Sequence, residues 1–395
     1  MKRSVPRIDG KSILKTIETI CSFGTRWMGG EGAESTIAYA RREFGAAGLG
    51  VTLQAFAYPH YQPVSASLST GGRQVACEPI ALAPSTGQPL AGELVYGGAC
   101  TRSDLERLSA ERGGLGGAIV LSDNLRTFVS YPEVENAGAA GFISITDLAD
   151  NTIRCGCSRL DGRIGTIPGV AIGGADGRSI VSALAGGTAG DAVMQTEGRT
   201  DEKTGYNIIA RPSGQQTPRL IVSAHYDCFW NGVMAMDNGA GVAAVLALSR
   251  AFAPQMLAES AFVLYGAEEL GCWGSAAFVQ QLPGDSRAIR AVLNLDTFGS
   301  DRSKIEVGVT RDLEPICQRV VQETGIPVHV WNVPPRAASD QQKFVERGFS
   351  AVWIANGGTD TRYHTALDTP DRMSAPNLEE AATLAYHIAA ELLNR

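Results

Sequence analysis

Five side chains that can bind a metal ion follow apolar runs in the second half of the chain. Two are imidazoles and three are carboxylates: His225, Asp237, Glu269, Asp296 and His364. The whole chain contains only 5 His, so two of them beside acids are an informative pattern. Imidazole nitrogen and carboxylate oxygen are both zinc ligands. A shared carboxylate can also bridge two metals held about 3.5 Å apart.

A bridging ligand divides this set into two sites. Asp237 is the natural bridge, because it is short and lies in a glycine-rich loop. With Asp237 shared, His225 and Asp296 complete one site, and Glu269 and His364 complete the other. We therefore expect two Zn²⁺ ions, although Mn²⁺ or Co²⁺ would suit the same ligands.

Three neighbouring side chains have the chemistry to assist catalysis. Glu268 directly precedes the ligand glutamate, so one carboxylate can bind metal while Glu268 acts as general base. Asp227 lies two residues after His225 and is expected to orient its imidazole. Tyr363 precedes His364, and its phenol is placed to stabilise a developing oxyanion.

The elements that must position these residues alternate between strands and helices from about residue 205 onward. β-type runs at 219–224, 261–265 and 291–295 stop just before the candidate ligands. This alternation predicts an α/β fold, with a mixed, mostly parallel sheet sandwiched by helices. Ligands bind such sheets beyond the carboxyl ends of the strands. The candidate side chains should therefore meet at one edge.

The remaining patterns of this part predict further elements. Strands are expected at 51–58, 305–309, 328–331 and 351–354, and helices within 11–50 and at 241–252, 275–282, 312–324, 340–347 and 378–393.

Residues 60–198 have a different composition, which is rich in glycine, alanine and serine. Short β-type runs at 117–122 and 141–146 flank a helical pattern at 131–140. This stretch has one histidine, His60, and no cluster of acids with histidine. It is predicted to be a β-rich inserted module, and residues 1–58 and 200–395 form the catalytic domain.

Composition excludes several classes of protein. The chain has 395 residues, 44% hydrophobic and 19% charged, which is typical of a globular protein. A net charge of -7 gives no support to nucleic-acid binding. No apolar run is as long as a membrane span. The N-terminus lacks a signal-peptide core, so the printed sequence predicts a cytoplasmic protein.

The motifs around the ligands resemble a known family. They read SAHYD, MAMDNGAGVAAVL, YGAEELGCWGS, NLDTFGS and RYHTALDTPD, and they look like the co-catalytic di-zinc exopeptidases of clan MH. That family includes bacterial leucine aminopeptidases, aminopeptidase Y and glutamate carboxypeptidases. The resemblance implies the same five ligands, Glu268 as base, and a cis bond between Asp237 and Asn238.

Two regions qualify this resemblance. Residues 60–195 are similar to the protease-associated domain that several members carry as an insert. The family's Ser-Asp-His motif reads Ser339-Asp340-Gln341 here. We expect that change to alter the substrate pocket without touching a metal ligand.

The expected reaction is hydrolysis of a peptide or an aminoacyl amide, with aminopeptidase action favoured. A carboxypeptidase, a dipeptidase or a specialised amidohydrolase is the close alternative, which Arg302 or Arg362 in the pocket would favour. A glutaminyl-cyclase-like acyltransferase would need one zinc, and a non-catalytic binding scaffold none. The sequence leaves open whether the insert gates access or joins two copies in a homodimer.

Overall fold

The computed structural model of the protein describes residues 8–187, 190–215, 217–282, 288–333 and 339–394. Its strands are β1 Gly50–Thr70, β2 Arg73–Val75, β3 Cys77–Pro79, β4 Leu90–Tyr96, β5 Ile119–Ser122, β6 Gly141–Ile145, β7 Gly169–Ile172, β8 Asp191–Arg211, β9 Leu220–His225, β10 Ser260–Tyr265, β11 Ala291–Leu295, β12 Glu306–Val309, β13 His329–Asn332 and β14 Ala351–Ala355. Its α-helices are α1 Gly10–Cys21, α2 Glu31–Ala46, α3 Arg102–Arg112, α4 Thr127–Asn136, α5 Gly174–Ala185, α6 Ala240–Ala251, α7 Pro254–Ala258, α8 Trp273–Gln280, α9 Glu314–Thr324, α10 Gln341–Val345 and α11 Ala375–Leu393.

The catalytic part is built on a mixed sheet. Strands β10, β9, β11 and β14 lie side by side and run parallel. Strand β8 joins β10 antiparallel, and β12 joins β14 antiparallel with β13 parallel beyond it. The predicted mixed, mostly parallel sheet is therefore confirmed.

Helices cover both faces of this sheet. All residues of β9, β10 and β11 are buried, as expected for strands that are packed on both sides. Leu220 and Val222 face the core shared with α1, α6 and α11, whereas Ile221 faces the core shared with α8 and α10. This two-sided packing fixes the strand ends, because the core holds both faces of the sheet in register.

A long antiparallel ribbon connects the catalytic part to the insert. Strands β1 and β8 pair from Gly50 with Arg211 to Thr70 with Ala192. The predicted boundaries at 58 and 200 fall inside this ribbon, so the backbone continues through them without a break. His60 lies in the ribbon and bonds to Asp201 at 3.0 Å, far along the chain from the candidate ligands.

The insert has its own small sheet. Strands β4, β5, β6 and β7 run parallel, and β3 closes the edge antiparallel to β7. The sequence indicated one helix at 131–140, but the described part of the insert has three, with α4 starting at Thr127. Helix α3 has no apolar stripe and buries only Leu105. Its sequence signal is the capping box of Thr101 and Asp104.

No helix of the described residues is both long enough and apolar enough to cross a membrane. The cytoplasmic location stays a prediction.

Candidate metal centre

The candidate ligands meet where the central strands end. His225 is the last residue of β9 and is paired with Tyr265, the last residue of β10. Asp296 directly follows β11, and Glu269 lies in the turn after β10. Because these strands are parallel neighbours, their carboxyl ends share one edge. His364 reaches the same edge from the loop between β14 and α11.

Asp237 joins two clusters. Its Oδ1 lies 3.2 Å from Nε2 of His225, and its Oδ2 lies 3.0 Å from Nε2 of His364. Nε2 of His225 is also 3.2 Å from Oδ1 of Asp296. Nε2 of His364 is 3.0 Å from Oε2 of Glu269. The structure thus brings together all five predicted side chains as two triads that share one carboxylate.

The chemistry of these donors fits zinc. Ligand atoms about 2.0–2.1 Å from a tetrahedral zinc are roughly 3.3 Å apart, which is close to the separations seen here. Oε1 of Glu269 is buried and has no hydrogen-bond partner among the residues that the structure describes. Asp237, Glu269 and Asp296 are each only 4% exposed. Buried carboxylates need compensating positive charge, which two divalent cations would supply.

Burial and neighbouring charges shift the pKa values of these groups. Burial raises the pKa of Glu269 to about 7, although His364 opposes the shift. Burial alone would raise the pKa of Asp237 as well, but His364 and His225 hold it below its usual range. Burial disfavours the imidazolium of His225, yet Asp296 and other acids raise its pKa well above the ordinary value. Without metal, the imidazoles therefore hold protons that partly neutralise the acids.

The loop that carries Asp237 is held by two groups. It forms a short turn at Ala235–Gly239, with a cis bond between Asp237 and Asn238 as the resemblance implied. Asp368 accepts hydrogen bonds from the backbone N–H groups of Met236 at 2.7 Å and Asp237 at 3.0 Å. Its two oxygens thus fix the direction in which the bridging carboxylate points.

The sequence did not reveal Arg26, whose buried side chain also holds the backbone that leads to Asp237. Its side chain is fully buried and donates to the backbone carbonyls of Tyr226 at 2.8 Å, Met234 at 2.8 Å and Val233. These carbonyls belong to the loop after β9 and to the start of the turn with the bridging acid. The only local signal was a single charge in the otherwise uncharged motif GTRWMGG.

Asp227 supports the site by a different route from the one expected. Nδ1 of His225 bonds to the backbone carbonyl of Asp227 at 3.2 Å, while the Asp227 carboxylate is 3.7 Å away. That carboxylate instead accepts the backbone N–H groups of Glu268 at 3.1 Å and Glu269 at 3.2 Å. Asp227 therefore positions the glutamate pair as well as the imidazole.

The Ser339-Asp340-Gln341 segment contacts a candidate ligand through Ser339, whereas the altered residue, Gln341, bonds to Asn294. Oγ of Ser339 donates to Oδ2 of Asp296 at 2.5 Å. Oε1 of Gln341 accepts from Nδ2 of Asn294 at 2.9 Å, and Oδ1 of Asn294 accepts from Ser223 at 3.0 Å. The segment packs behind the metal centre, where Ser339 supplies a hydrogen-bond donor to Asp296.

A cavity of about 370 Å³ opens in front of the metal centre. Glu268 and Tyr363 both line it, beside the ligands. The thiol of Cys272 donates to Oε1 of Glu268 at 3.5 Å. Burial raises the pKa of Glu268 well above its ordinary value, with a further contribution from Glu269 and an opposing one from His225. Glu268 belongs to neither triad, so its carboxylate is free to meet a substrate.

The walls of the cavity come from both parts of the chain. Trp331 and Trp353 form an aromatic wall in the catalytic part, with ring centroids 5.9 Å apart. The insert contributes Arg126, Phe128 and the segment 154–157. Cys155-Gly156-Cys157, which is the insert's only C-x-C pattern, therefore lies at the cavity rather than in a metal site of its own.

The two arginines proposed as substrate ligands lie outside this cavity wall. Arg362 is held by the carboxylates of Asp360, at 2.9 Å from its Nε, and of Asp301. Arg302 is not among the residues that line the cavity. Neither residue therefore favours recognition of a substrate carboxylate at this position.

Comparison with known proteins shows what the chain is similar to. Residues 207–389 match the sequence model of peptidase family M28. The "Probable lipoprotein aminopeptidase LpqL" of Mycobacterium tuberculosis is 28% identical over 289 residues, which are 70% of this chain and 55% of that protein. "Aminopeptidase YwaD" of Bacillus subtilis is 25% identical over 365 residues, covering 88% of this chain and 76% of that protein. The chain thus spans about half the length of the mycobacterial relative.

Solved structures show the same fold. The Peptidase M28 precursor of Shewanella amazonensis superposes with a TM-score of 0.80 at 21% identity, over 98% of this chain and 93% of that one. BSAP, a zinc aminopeptidase from Bacillus subtilis, superposes with a TM-score of 0.76 at 22% identity, over 98% of this chain and 96% of that one. The region that is similar to peptidase family M28 holds all five clustered ligands.

Proposed function

We propose that the protein is an aminopeptidase whose active site holds two zinc ions. His225 and Asp296 would bind one ion, Glu269 and His364 the other, and Asp237 would bridge them. The observation that carries this proposal is the division of the Asp237 carboxylate, whose two oxygens face different imidazoles. The relatives named as aminopeptidases support the reaction class.

When bound, the zinc ions would activate a water molecule and polarise the scissile carbonyl. Glu268 is placed to accept the proton of the attacking water and to deliver it to the leaving amine. Asp227 holds the backbone of Glu268 in position. Tyr363 lines the cavity beside His364, with ring centroids 4.9 Å apart. Its hydroxyl would donate to the developing oxyanion.

The cavity wall suggests which substrates fit. Trp331 and Trp353 offer a large apolar surface, which would bind an apolar or aromatic side chain. Glu306 lines the same wall and would attract a free α-amine. We therefore expect aminoacyl amides with large apolar side chains to be the preferred substrates.

One observation favours a second candidate, a dipeptidase or carboxypeptidase. Arg126 lies exposed on the insert side of the cavity. A guanidinium there could pair with a substrate carboxylate. Free dipeptides would then be cut better than the corresponding amides.

The test combines metal content with a substrate panel. Purified wild type, Glu268→Ala and the control Glu323→Ala, which changes an exposed glutamate of α9, would be compared. The panel contains aminoacyl amides, free dipeptides and N-blocked dipeptides. We expect about two zinc ions per chain in all three proteins, with a 100- to 10,000-fold drop in kcat only for Glu268→Ala.

Other outcomes separate the alternatives. One zinc ion per chain with release of ammonia from N-terminal glutamine would indicate a cyclase. A chain that binds no metal and cuts nothing would indicate a binding scaffold. Cleavage of N-blocked dipeptides alone would favour the carboxypeptidase, and preference for free dipeptides would favour the dipeptidase. Manganese or cobalt in place of zinc would change the cofactor but not the mechanism.

A further inference from the structure

Part of the insert lies directly against the loop that carries His364. The backbone N–H of Cys155 donates to the carbonyl of His364 at 2.9 Å. Nδ2 of Asn231, from the loop after β9, donates to the carbonyls of both Ile153 at 3.2 Å and His364 at 3.1 Å. The backbone of a candidate metal ligand is therefore held by the insert and by a neighbouring catalytic loop together.

Arg154 makes the most extensive of these contacts. Its side chain is 6% exposed, and its Nη2 lies 2.6 Å from Oδ1 of Asp147 within the insert. The same nitrogen donates to the carbonyl of Thr361, and Nε donates to the carbonyl of Tyr363 at 3.4 Å. The guanidinium carbon also lies 4.6 Å from the centre of the Tyr363 ring. One planar group thus fixes both the backbone and the ring of the residue before His364.

The loop needs such support because of its backbone conformation. His364 has a φ of 58°, in the left-handed region that side chains other than glycine seldom adopt. Residues held in this region persist only where their surroundings over-determine them. The contacts of Arg154 and Cys155 on either side of His364 are surroundings of this kind.

We propose that Arg154 is a positioning residue for the second metal site, formed by Glu269 and His364. The inference rests on the proposed two-zinc function. It assigns to the insert a part in building the metal centre, beyond lining the cavity. In this role Arg154 acts through the loop from Thr361 to His364.

The test measures the zinc affinity of each site, in Arg154→Ala, Arg154→Lys and wild type. Loss of a group that orients a metal ligand typically costs 10- to 100-fold in affinity. We expect that loss in Arg154→Ala at the site that His364→Ala abolishes, while the other site keeps its wild-type affinity. Arg154→Lys should recover only part of it, because an ammonium cannot reach both carbonyls and stack on the ring.

The matched control is Arg159→Ala, which removes an arginine five residues away that pairs with Glu135 inside the insert. It should leave both affinities unchanged. If Arg154→Ala does not fold, Asp147→Asn carries the test, because it removes the carboxylate partner and leaves the guanidinium. We expect a smaller loss at the same site.

The outcomes separate this inference from the function on which it rests. Wild-type protein with fewer than two zinc sites would overturn the proposed function. Two sites in wild type, with both affinities and kcat unchanged in Arg154→Ala, would overturn the role of Arg154 alone. An equal loss at both sites, or an equal loss in Arg159→Ala, would show a general effect on folding and would also overturn it.

Discussion

The two halves of the metal centre are built in different ways. In the half formed by His225 and Asp296, both residues stand at the ends of buried parallel strands, β9 and β11. In the half formed by Glu269 and His364, the histidine comes from a loop and its side chain is 21% exposed, against 1% for His225. Two copies of one chemical arrangement thus have unequal support.

The difference shows where rigidity comes from. A ligand at a strand end takes its position from the register of the sheet, which the core fixes on both faces. A ligand on a loop takes its position from individual contacts, here with Arg154 and Cys155 of the insert. We therefore expect the first half to resist substitutions outside the sheet and the second half to depend on them.

Asp237→Asn removes the group on which both halves depend, so it should have the largest effect. Binding at both sites should weaken, because a carboxamide presents only one oxygen where two are used. The stabilisation that zinc gives to the transition state is worth several kcal/mol, so kcat/KM should fall by at least about 1000-fold. Asp312→Asn, at an exposed aspartate, is the control. Near-normal activity in Asp237→Asn would remove the bridge from the mechanism.

Comparison of His225→Ala with His364→Ala tests directly whether the two halves of the metal centre are unequally integrated into the core. Each variant should lose one zinc ion. His225→Ala should also destabilise the metal-free protein by about 1–3 kcal/mol. His364→Ala should destabilise it less, because the side chain of His225 is 1% exposed against 21% for His364 and its removal leaves a buried void. Denaturant unfolding of the two apoproteins measures this difference. Equal destabilisation would mean that the two halves are equally integrated into the core.

Ser339→Ala probes the support of the first half alone. It removes the hydrogen bond to Oδ2 of Asp296, so zinc affinity at that site should fall about 10-fold. In the double variant with Arg154→Ala, each substitution should lower zinc affinity at its own site, by the same factor as in the single variant. Ser303→Ala changes a serine that does not contact a ligand and serves as the control. If the double variant loses affinity at only one site, the halves do not have separate supports.

The smallest expected effect concerns stability as a function of pH. We expect the sign of this dependence to change when the metal is removed. Burial raises the folded-state pKa of Glu269 to about 7, from an ordinary value of 4.5. Its contribution to stability is therefore full below about pH 4.5 and is lost as pH rises through about 7. The raised pKa values of His225 and His364 act in the same direction. The Tm of the apoprotein should fall from pH 6 to pH 8.

The zinc-loaded protein should show the opposite trend, because zinc competes with protons for the same ligands and binds more tightly as pH rises. Calorimetric melting of both forms across this range provides the measurement. Parallel curves for the two forms would mean that the ligand protons do not control stability.

The sequence predicted the catalytic sheet and the clustering of ligands well, because both depend on local patterns. Apolar runs mark buried strands, and a polar residue directly after such a run marks the sheet edge. His225 and Asp296 are positions of this type. The contacts that hold them could not be read in this way. Ser339 reaches Asp296 across 43 residues of sequence, and Arg154 reaches Tyr363 across 209.

The insert shows the same limit at the level of whole elements. Helix α5 begins with Gly174 and includes Gly177, and glycine lowers the helical signal of a sequence. Here Gly177 is required by packing, because a Cβ at this position would lie 2.2 Å from a methyl carbon of Ile145. Tertiary packing thus favours a glycine in α5 that its low helix propensity disfavours. The likeness of the insert to the protease-associated domain stays a prediction.

The ribbon of β1 and β8 makes the insert exchangeable. Ala57 pairs with Thr204 in this ribbon, so the chain leaves the catalytic sheet and returns to it at adjacent positions. A two-residue Asn-Gly turn between such partners would close an ordinary hairpin. Any module with closely spaced ends can therefore be grafted at this point without re-threading the sheet. Such an exchange would keep the strand ends that carry His225 and Asp296, but it would remove the contacts of Arg154 and Cys155 with the loop of His364.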